Sequence, residues 1–193
     1  MAIKLDLEKA YDRLEWPFIK STLELYQFPP CLISLIMNMV SSVSYSLKWN
    51  GQKIPSFRPS RGIRQGDPFS PFLFILCLNR LSLQLDSAST HLFHPLKVRS
   101  NYSSSHLFFA DDIFLFTKAS RRDCQAIYSL LQNFCEVSSQ LISLQKSKIL
   151  FSPKIPRLTR TTLQGMLNIT QSQSLGLYLG APIFVGCRSS QEG

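Results

Sequence analysis

Carboxylates are scarce in this chain of 193 residues: 12 Asp and Glu stand against 21 Lys and Arg, a formal net charge of +9. That imbalance favours a polyanionic partner, although charge alone fits a generic basic protein equally well. No two of the five cysteines form a C-x-x-C pair, which excludes a zinc framework and a disulfide-dense secreted scaffold. Cys31, Cys77, Cys124, Cys135 and Cys187 mostly sit in apolar surroundings and are expected as buried free thiols. His91 and His94 have no third ligand nearby and carry no metal expectation. The longest apolar run, Phe72 to Leu78, is far too short to cross a bilayer. Lys4, Asp6, Glu8 and Lys9 interrupt any apolar leader. The chain therefore reads as soluble and intracellular, with no membrane partner, and the sequons at Asn101 and Asn168 read as accidental. There is no internal repeat, linker or low-complexity tract. With 45% hydrophobic and 17% charged residues the chain can bury a real core.

Local signals alternate between helix and strand without regular strand–helix repetition, which points to an α+β fold in a single compact unit. Ala2 to Leu7 reads as a strand, Trp16 to about Tyr26 as a helix with Pro17 in its first turn, and Leu32 to Met39 as a second helix. Asn50-Gly51 predicts a tight hairpin between Ser44–Trp49 and Lys53–Phe57. A loop from Arg61 to Pro71 precedes a buried helix reaching about Ala88. His91 to Ser105 is a polar connection with one short strand. His106 to Thr117 forms a buried hairpin interrupted by Asp111-Asp112. Ser120 to Asp123 resembles a capping box for a helix ending near Val137. Ile149 to Phe151 is a candidate strand and Arg157 to Met166 a short helix.

Two of these segments place acids where apolar strands tolerate none. Asp6 lies in Ile-Lys-Leu-Asp-Leu, and Asp111-Asp112 lie in Leu-Phe-Phe-Ala-Asp-Asp-Ile-Phe-Leu-Phe. An ionised carboxylate in such surroundings needs a cation or a hydrogen-bonded partner, and adjacent aspartates cannot satisfy one another. Taken singly, Asp111-Asp112 fits a hairpin turn as well, and Asp6 a helix cap. Taken together, they suggest hard oxygen ligands for a divalent metal such as magnesium. Converging carboxylates suit phosphoryl transfer, in which two metals roughly 3.5–4 Å apart serve the attacking and leaving oxygens. On that reading Asp6 and Asp111 bridge the metals and Asp112 completes the site.

Four segments then resemble the reverse transcriptases of non-LTR (LINE-type) retrotransposons, most closely those of plants. Lys4-Leu-Asp-Leu-Glu-Lys-Ala-Tyr-Asp-Arg-Leu-Glu-Trp16 resembles the first palm motif of that family. Pro59-Ser-Arg-Gly-Ile-Arg-Gln-Gly-Asp-Pro-Phe-Ser-Pro71 resembles the second, Phe108-Phe-Ala-Asp-Asp112 the catalytic turn, and Tyr178-Leu-Gly-Ala-Pro182 the stretch downstream of the palm. The resemblance implies a polymerase palm, an antiparallel sheet with helices packed on one face, spanning residues 1–185 and followed by a tail of 186–193. It implies an RNA-directed DNA polymerase adding deoxynucleotides to a primer 3′-hydroxyl, with two Mg2+ ions (Mn2+ as substitute) on Asp6, Asp111 and Asp112. Deoxynucleoside triphosphates, an RNA template and a DNA primer are the implied partners, and the nucleus the implied location.

By resemblance Leu7, Tyr11, Arg64, Gln65 and Gly66 contact substrate. Tyr11 falls on the aromatic gate against a ribose 2′-hydroxyl, and Gln65 and Gly66 on the loop nearest the nucleotide and template base. Lys146 falls on the lysine that meets departing pyrophosphate. The sequence departs from the family near that lysine, because Ser139 stands where glycine and Ser143 where asparagine is usual; a positive φ at Ser139 would strain the turn. Fingers and thumb segments expected on either side of the palm are not visible, so the chain reads as a piece of a larger element with little or no processive activity by itself. The other reading is an inactive relic acting as a basic nucleic-acid-binding module, whose affinity should likewise fall with salt.

Overall fold

Alternation in Ala2–Leu5 (β1) buries Ile3 and Leu5 on one face of a strand and leaves Lys4 on the other. The computed structural model describes residues 1–99, 102–178 and 180–182. After β1 come α1 (Ala10–Arg13), α2 (Trp16–Leu25), α3 (Pro30–Ser41), β2 (Lys48–Trp49), β3 (Gln52–Lys53) and α4 (Ser70–Ser89). Then follow β4 (Leu96–Arg99), β5 (Tyr102–Ser104), β6 (His106–Phe109), β7 (Asp112–Phe116), α5 (Arg121–Ser138), β8 (Lys148–Leu150), α6 (Arg157–Leu167), β9 (Thr170–Gln171), β10 (Leu177–Tyr178) and β11 (Ala181–Pro182). The mixture is α+β, as expected. The sequence suggests one unit, but the described residues divide into two. The first comprises Met1–Leu7, Ser82–Gln132 and the described residues from Ile142 onward; the second comprises Glu8–Leu81 and Asn133–Leu141.

The first unit is built on a five-stranded sheet in the order β6-β7-β1-β8-β9, antiparallel except for the β8–β9 pair. Register pairs Ala2 with Phe116, Lys4 with Phe114 and Leu5 with Ile113. One face carries the buried Ile3, Leu5, Ile113, Leu115 and Ile149. On the other, Phe114 and Phe116 pack with Leu150 and Leu175, and Tyr178 meets Phe114 edge-on with ring centroids 5.3 Å apart. Because β7 is covered on both faces, its sequence shows no apolar–polar alternation.

The start of α5 carries half of the capping box read from sequence, because the Ser120 N–H donates to the Lys118 carbonyl rather than to Asp123. The Ser120 hydroxyl donates to Asp123 Oδ1 (2.7 Å), and the Asp123 N–H donates back to Ser120 Oγ (3.2 Å). The Asp123 carboxylate, 1% exposed, also accepts from the His94 backbone N–H (2.8 Å) and the Thr117 hydroxyl (3.1 Å), and His94 Nδ1 lies 3.1 Å away. Burial pushes this carboxyl up, but the hydrogen bonds from Ser120, His94 and Thr117 outweigh it and hold Asp123 below the usual carboxylate range. A carboxyl whose native pKa lies below its unfolded value binds fewer protons when folded. Its stabilisation is therefore full above about pH 4 and is lost as the pH falls through the native value. Asp123→Asn is expected to flatten the acid limb of the stability curve below about pH 4, measured by urea unfolding across pH. Curves that run parallel for the two proteins would show that Asp123 carries no such linkage.

In the second unit, Pro30 takes the first position of α3, so that helix starts two residues before the sequence suggests. α2 runs from Trp16 as expected. Asn50 and Gly51, with φ of +46° and +82°, make the tight turn between β2 and β3 that the dipeptide predicts. Ser139, just past α5, has φ +56°, the left-handed conformation that glycine adopts without a Cβ penalty. Cys77 and Cys124 are buried, and burial raises their thiols to about 12 and about 11, whereas Cys31 is exposed and departs from the expectation. Other differences are small: α1 and the β4–β5 pair are more structure than the sequence signals, α1 being held by Ile63 and Gln140 far along the chain, whereas β4 and β5 pair with each other as a local hairpin. Cys187, Asn101 and the tail 186–193 lie outside the described residues, as does Leu179 of the downstream motif.

Candidate polymerase site

Asp6 follows the last residue of β1, and Asp112 opens β7. Since Leu5 pairs with Ile113, the register carries Asp6 opposite Asp112, on the face that holds Lys4 and Phe114. The hairpin from β6 to β7 closes through only two residues, Ala110 and Asp111, because Phe109 pairs with Asp112. Ala110 has φ +52°, a left-handed conformation that costs a residue with a Cβ roughly 1–2 kcal/mol. Strain of this kind persists where the flanking strands over-determine the turn, and here it presents Asp111 to solvent at the sheet end.

Segment 142–147 clamps the backbone of Asp6. Its carbonyl accepts from the Ser143 N–H (2.8 Å), its own N–H donates to Ser147 Oγ (3.1 Å), and Leu7 bridges to Ile142. Lys146 sits in this clamp with its ammonium 3.9 Å from Asp6 Oδ1. The serine at 143 holds Asp6 through its backbone, which any residue there provides, so the departure at this position leaves Lys146 beside the acids.

Lys4 is the residue the sequence does not reveal. Its ammonium lies 2.7 Å from Asp112 Oδ1 and 5.1 Å from the centre of the Phe114 ring, so the aromatic face supports it against the carboxylate. Two-residue spacing from Asp6 along a strand was the available signal, since it puts Lys4 and Asp6 on one face. A lysine at a strand position ordinarily reads as solvated, which hides it.

A divalent metal can be tested against these residues. Three aspartates supply the hard oxygen donors such an ion prefers, and both Asp6 and Asp112 already draw a cation from the chain, Lys146 and Lys4 respectively. Among the described residues no three His, Cys, Asp or Glu side chains are gathered closely enough to hold a metal ion. The donor chemistry fits; in this structure the lysines supply the neutralising charge.

The remaining expected contacts belong to the second unit. Tyr11 stacks on Phe74, with centroids 4.9 Å apart and planes 18° from parallel. Its carbonyl accepts from the Ile63 N–H (2.9 Å), which joins the first-motif helix α1 to the second-motif loop. Gly62 is required at this junction: its φ is +85°, and a Cβ there would come 2.8 Å from the Asp12 carbonyl oxygen. Arg64, Gln65 and Gly66 are exposed just beyond it, and Arg64 and Gln65 line a cavity of about 580 Å³ with Tyr45, Phe57 and Arg61.

Comparison with known proteins identifies the family. The family described as "Reverse transcriptase (RNA-dependent DNA polymerase)" matches residues 1–183. The Pol polyprotein of the type-2 retrotransposable element R2DM of Drosophila melanogaster is 33% identical over 133 residues, covering 69% of this chain and 12% of that protein. An uncharacterized mitochondrial protein of Arabidopsis thaliana is 46% identical over 65 residues, covering 33% of this chain and 53% of that protein. Telomerase from Candida albicans, solved with a fragment of telomeric RNA, shares the fold with a TM-score of 0.61 at 13% identity over 81% of this chain and 27% of its own. The chain thus spans about an eighth of the length of its retrotransposon relative. By motif, register and fold, the chain belongs to the reverse transcriptase (RNA-dependent DNA polymerase) family, as a domain of the kind carried by non-LTR retrotransposable elements.

Proposed function

We propose that this chain is the catalytic core of an RNA-directed DNA polymerase, and that Asp6, Asp111 and Asp112 hold two Mg2+ ions, with Mn2+ as a working substitute. The observation that carries the reading is the register placing Asp6 opposite Asp112, with Asp111 next to it in the turn. Divalent cations bound to these carboxylates supply Lewis-acid stabilisation of the attacking and leaving oxygens. The primer 3′-hydroxyl gives up its proton to water as its oxygen forms a bond to the α-phosphorus of a deoxynucleoside triphosphate, the bond from that phosphorus to the bridging oxygen breaks, and pyrophosphate leaves. Lys146 stands beside Asp6 and donates its proton, or its charge, to the pyrophosphate oxygen. Lys4 neutralises and orients the Asp112 carboxylate, which would be one of the ligands of a bound divalent cation.

Tyr11, its ring fixed flat against Phe74, acts as the gate that rejects a ribose 2′-hydroxyl, and Leu7 also contacts substrate. Arg64, Gln65 and Gly66 face the nucleotide and the template base: glycine lets the backbone approach, and glutamine offers both donor and acceptor. The template is RNA, the primer DNA, the site of action the nucleus, and the source element plant-like, a reading the Arabidopsis relative supports.

Primer extension tests this. With an RNA template, a DNA primer, deoxynucleotides and Mg2+ or Mn2+, the chain is expected to add single template-directed nucleotides slowly and without processivity, and chelation should stop it. Incorporation no greater than in the chelated control, with either metal, rejects the polymerase reading for this chain.

A further inference from the structure

Between Glu24 and Asp67 the chain contains no carboxylate, yet it carries Lys48, Lys53, Arg58, Arg61 and Arg64. More than half of the net charge of +9 thus comes from this one stretch of the second unit. Of these cations only Arg61 has an acidic partner among the described residues, Glu15 at 3.5 Å.

The β2–β3 hairpin concentrates the anomaly. Lys48 and Lys53 are directly opposed across its two strands, both exposed, and like charges in that position destabilise a pair. On the other face Trp49 is 71% exposed, beside Leu47 at 59% and Ile54 at 42%. A hairpin that presents a repelling lysine pair and a bare indole is poorly suited to stand alone in water. At its base Tyr45 and Phe57 pair through mutual backbone hydrogen bonds of 2.8 Å, with ring centroids 5.9 Å apart. Those two rings, with Arg61 and Arg64, wall the 580 Å³ cavity, so aromatic and cationic groups continue from the hairpin into a groove.

We infer that the β2–β3 hairpin is a docking element for single-stranded nucleic acid, in which Lys48 and Lys53 neutralise backbone phosphates and Trp49 stacks on a base. A polyanion turns the Lys48–Lys53 repulsion into attraction, and an exposed aromatic among cations is the arrangement that binds unpaired strands with little sequence preference. A base-paired duplex offers no free base face to Trp49, so the single strand is the preferred form. The inference takes its partner class from the polymerase reading but assigns a site that the chemistry of the three aspartates does not require.

Binding of oligouridylate to the whole chain, read by tryptophan fluorescence and by anisotropy of a labelled strand, tests it. Trp49→Ala is expected to weaken binding by about 5- to 150-fold, the range for loss of one stacked base, while Trp49→Phe keeps most of it. The double variant Lys48→Gln, Lys53→Gln should lower the slope of log K against log salt by about 1.4, two phosphates' worth for a single strand. All three side chains are exposed, so the variants should unfold at a temperature no lower than the parent, the double Gln variant gaining slightly from the lost repulsion, which separates lost contact from lost fold. Variants that bind as tightly as the parent with the same salt slope overturn the inference, as does preference for a duplex or an absence of binding by the parent. In each case primer extension, which reads the aspartates, decides the polymerase reading separately.

Discussion

Asp111→Asn is expected to reduce nucleotide addition by about 10²- to 10⁴-fold, with the unfolding midpoint unchanged within a degree or two. Asp111 is exposed in a two-residue turn and forms no ion pair among the described residues, so asparagine fits the same space and the fold loses nothing. What changes is one anionic oxygen. Metal-ion stabilisation of a phosphoryl transition state amounts to several kcal/mol, and each factor of ten in rate is about 1.4 kcal/mol. Removing a third of the negative charge that holds the cations forfeits a large share of that. Single-nucleotide extension measures the rate, and Mn2+ binding followed by its paramagnetic signal gives an independent readout that should weaken in parallel. A variant that extends primers at the parental rate would remove Asp111 from the site.

Phe114→Ala should destabilise the protein by about 3–5 kcal/mol, a large fraction of the 5–15 kcal/mol that holds a typical domain together. Phe114 is fully buried at the centre of β7, packs with Phe116, Leu150 and Leu175, and receives the edge of Tyr178. None of these neighbours can close a cavity of that size without moving the sheet. For a chain of this length each kcal/mol shifts the midpoint by roughly 2–4 °C, so the expected drop is about 6–20 °C by calorimetry. The neighbouring strand supplies a control: Phe109, 55% exposed, should change stability by no more than about 0.5 kcal/mol when replaced by alanine. Equal losses for the two would mean that the packing assigned to Phe114 is wrong. The same substitution removes the ring beneath Lys4, so the Lys4–Asp112 pair should loosen with it.

Much of the fold is legible in the chain because its signals are local. Helix α2 announces itself with Trp16-Pro17, the β2–β3 turn with Asn50-Gly51, and α5 with Ser120 and Asp123; each lies within four residues of the geometry it sets. The three aspartates are legible for a different reason: carboxylates beside apolar segments stand out in the chain, although the structure sets Asp6 just past β1 and Asp111 exposed in a turn rather than inside a strand.

The partners themselves were out of reach of such reasoning. Asp6 is clamped by Ser147, 141 residues away, and Lys4 finds Asp112 only because β1 pairs with β7 in one particular register. A slip of one residue would send Lys4 to the opposite face, and nothing near Lys4 in the chain forbids the slip. His94 reads as a stray histidine until the fold brings it against Asp123, and Ser139 reads as a substitution until its φ of +56° shows the conformation it must hold. Residue type and near-neighbour spacing thus fix which helices, turns and acids exist. Which charge meets which carboxylate is decided by strand pairing, because that pairing joins segments whose sequences carry no trace of one another.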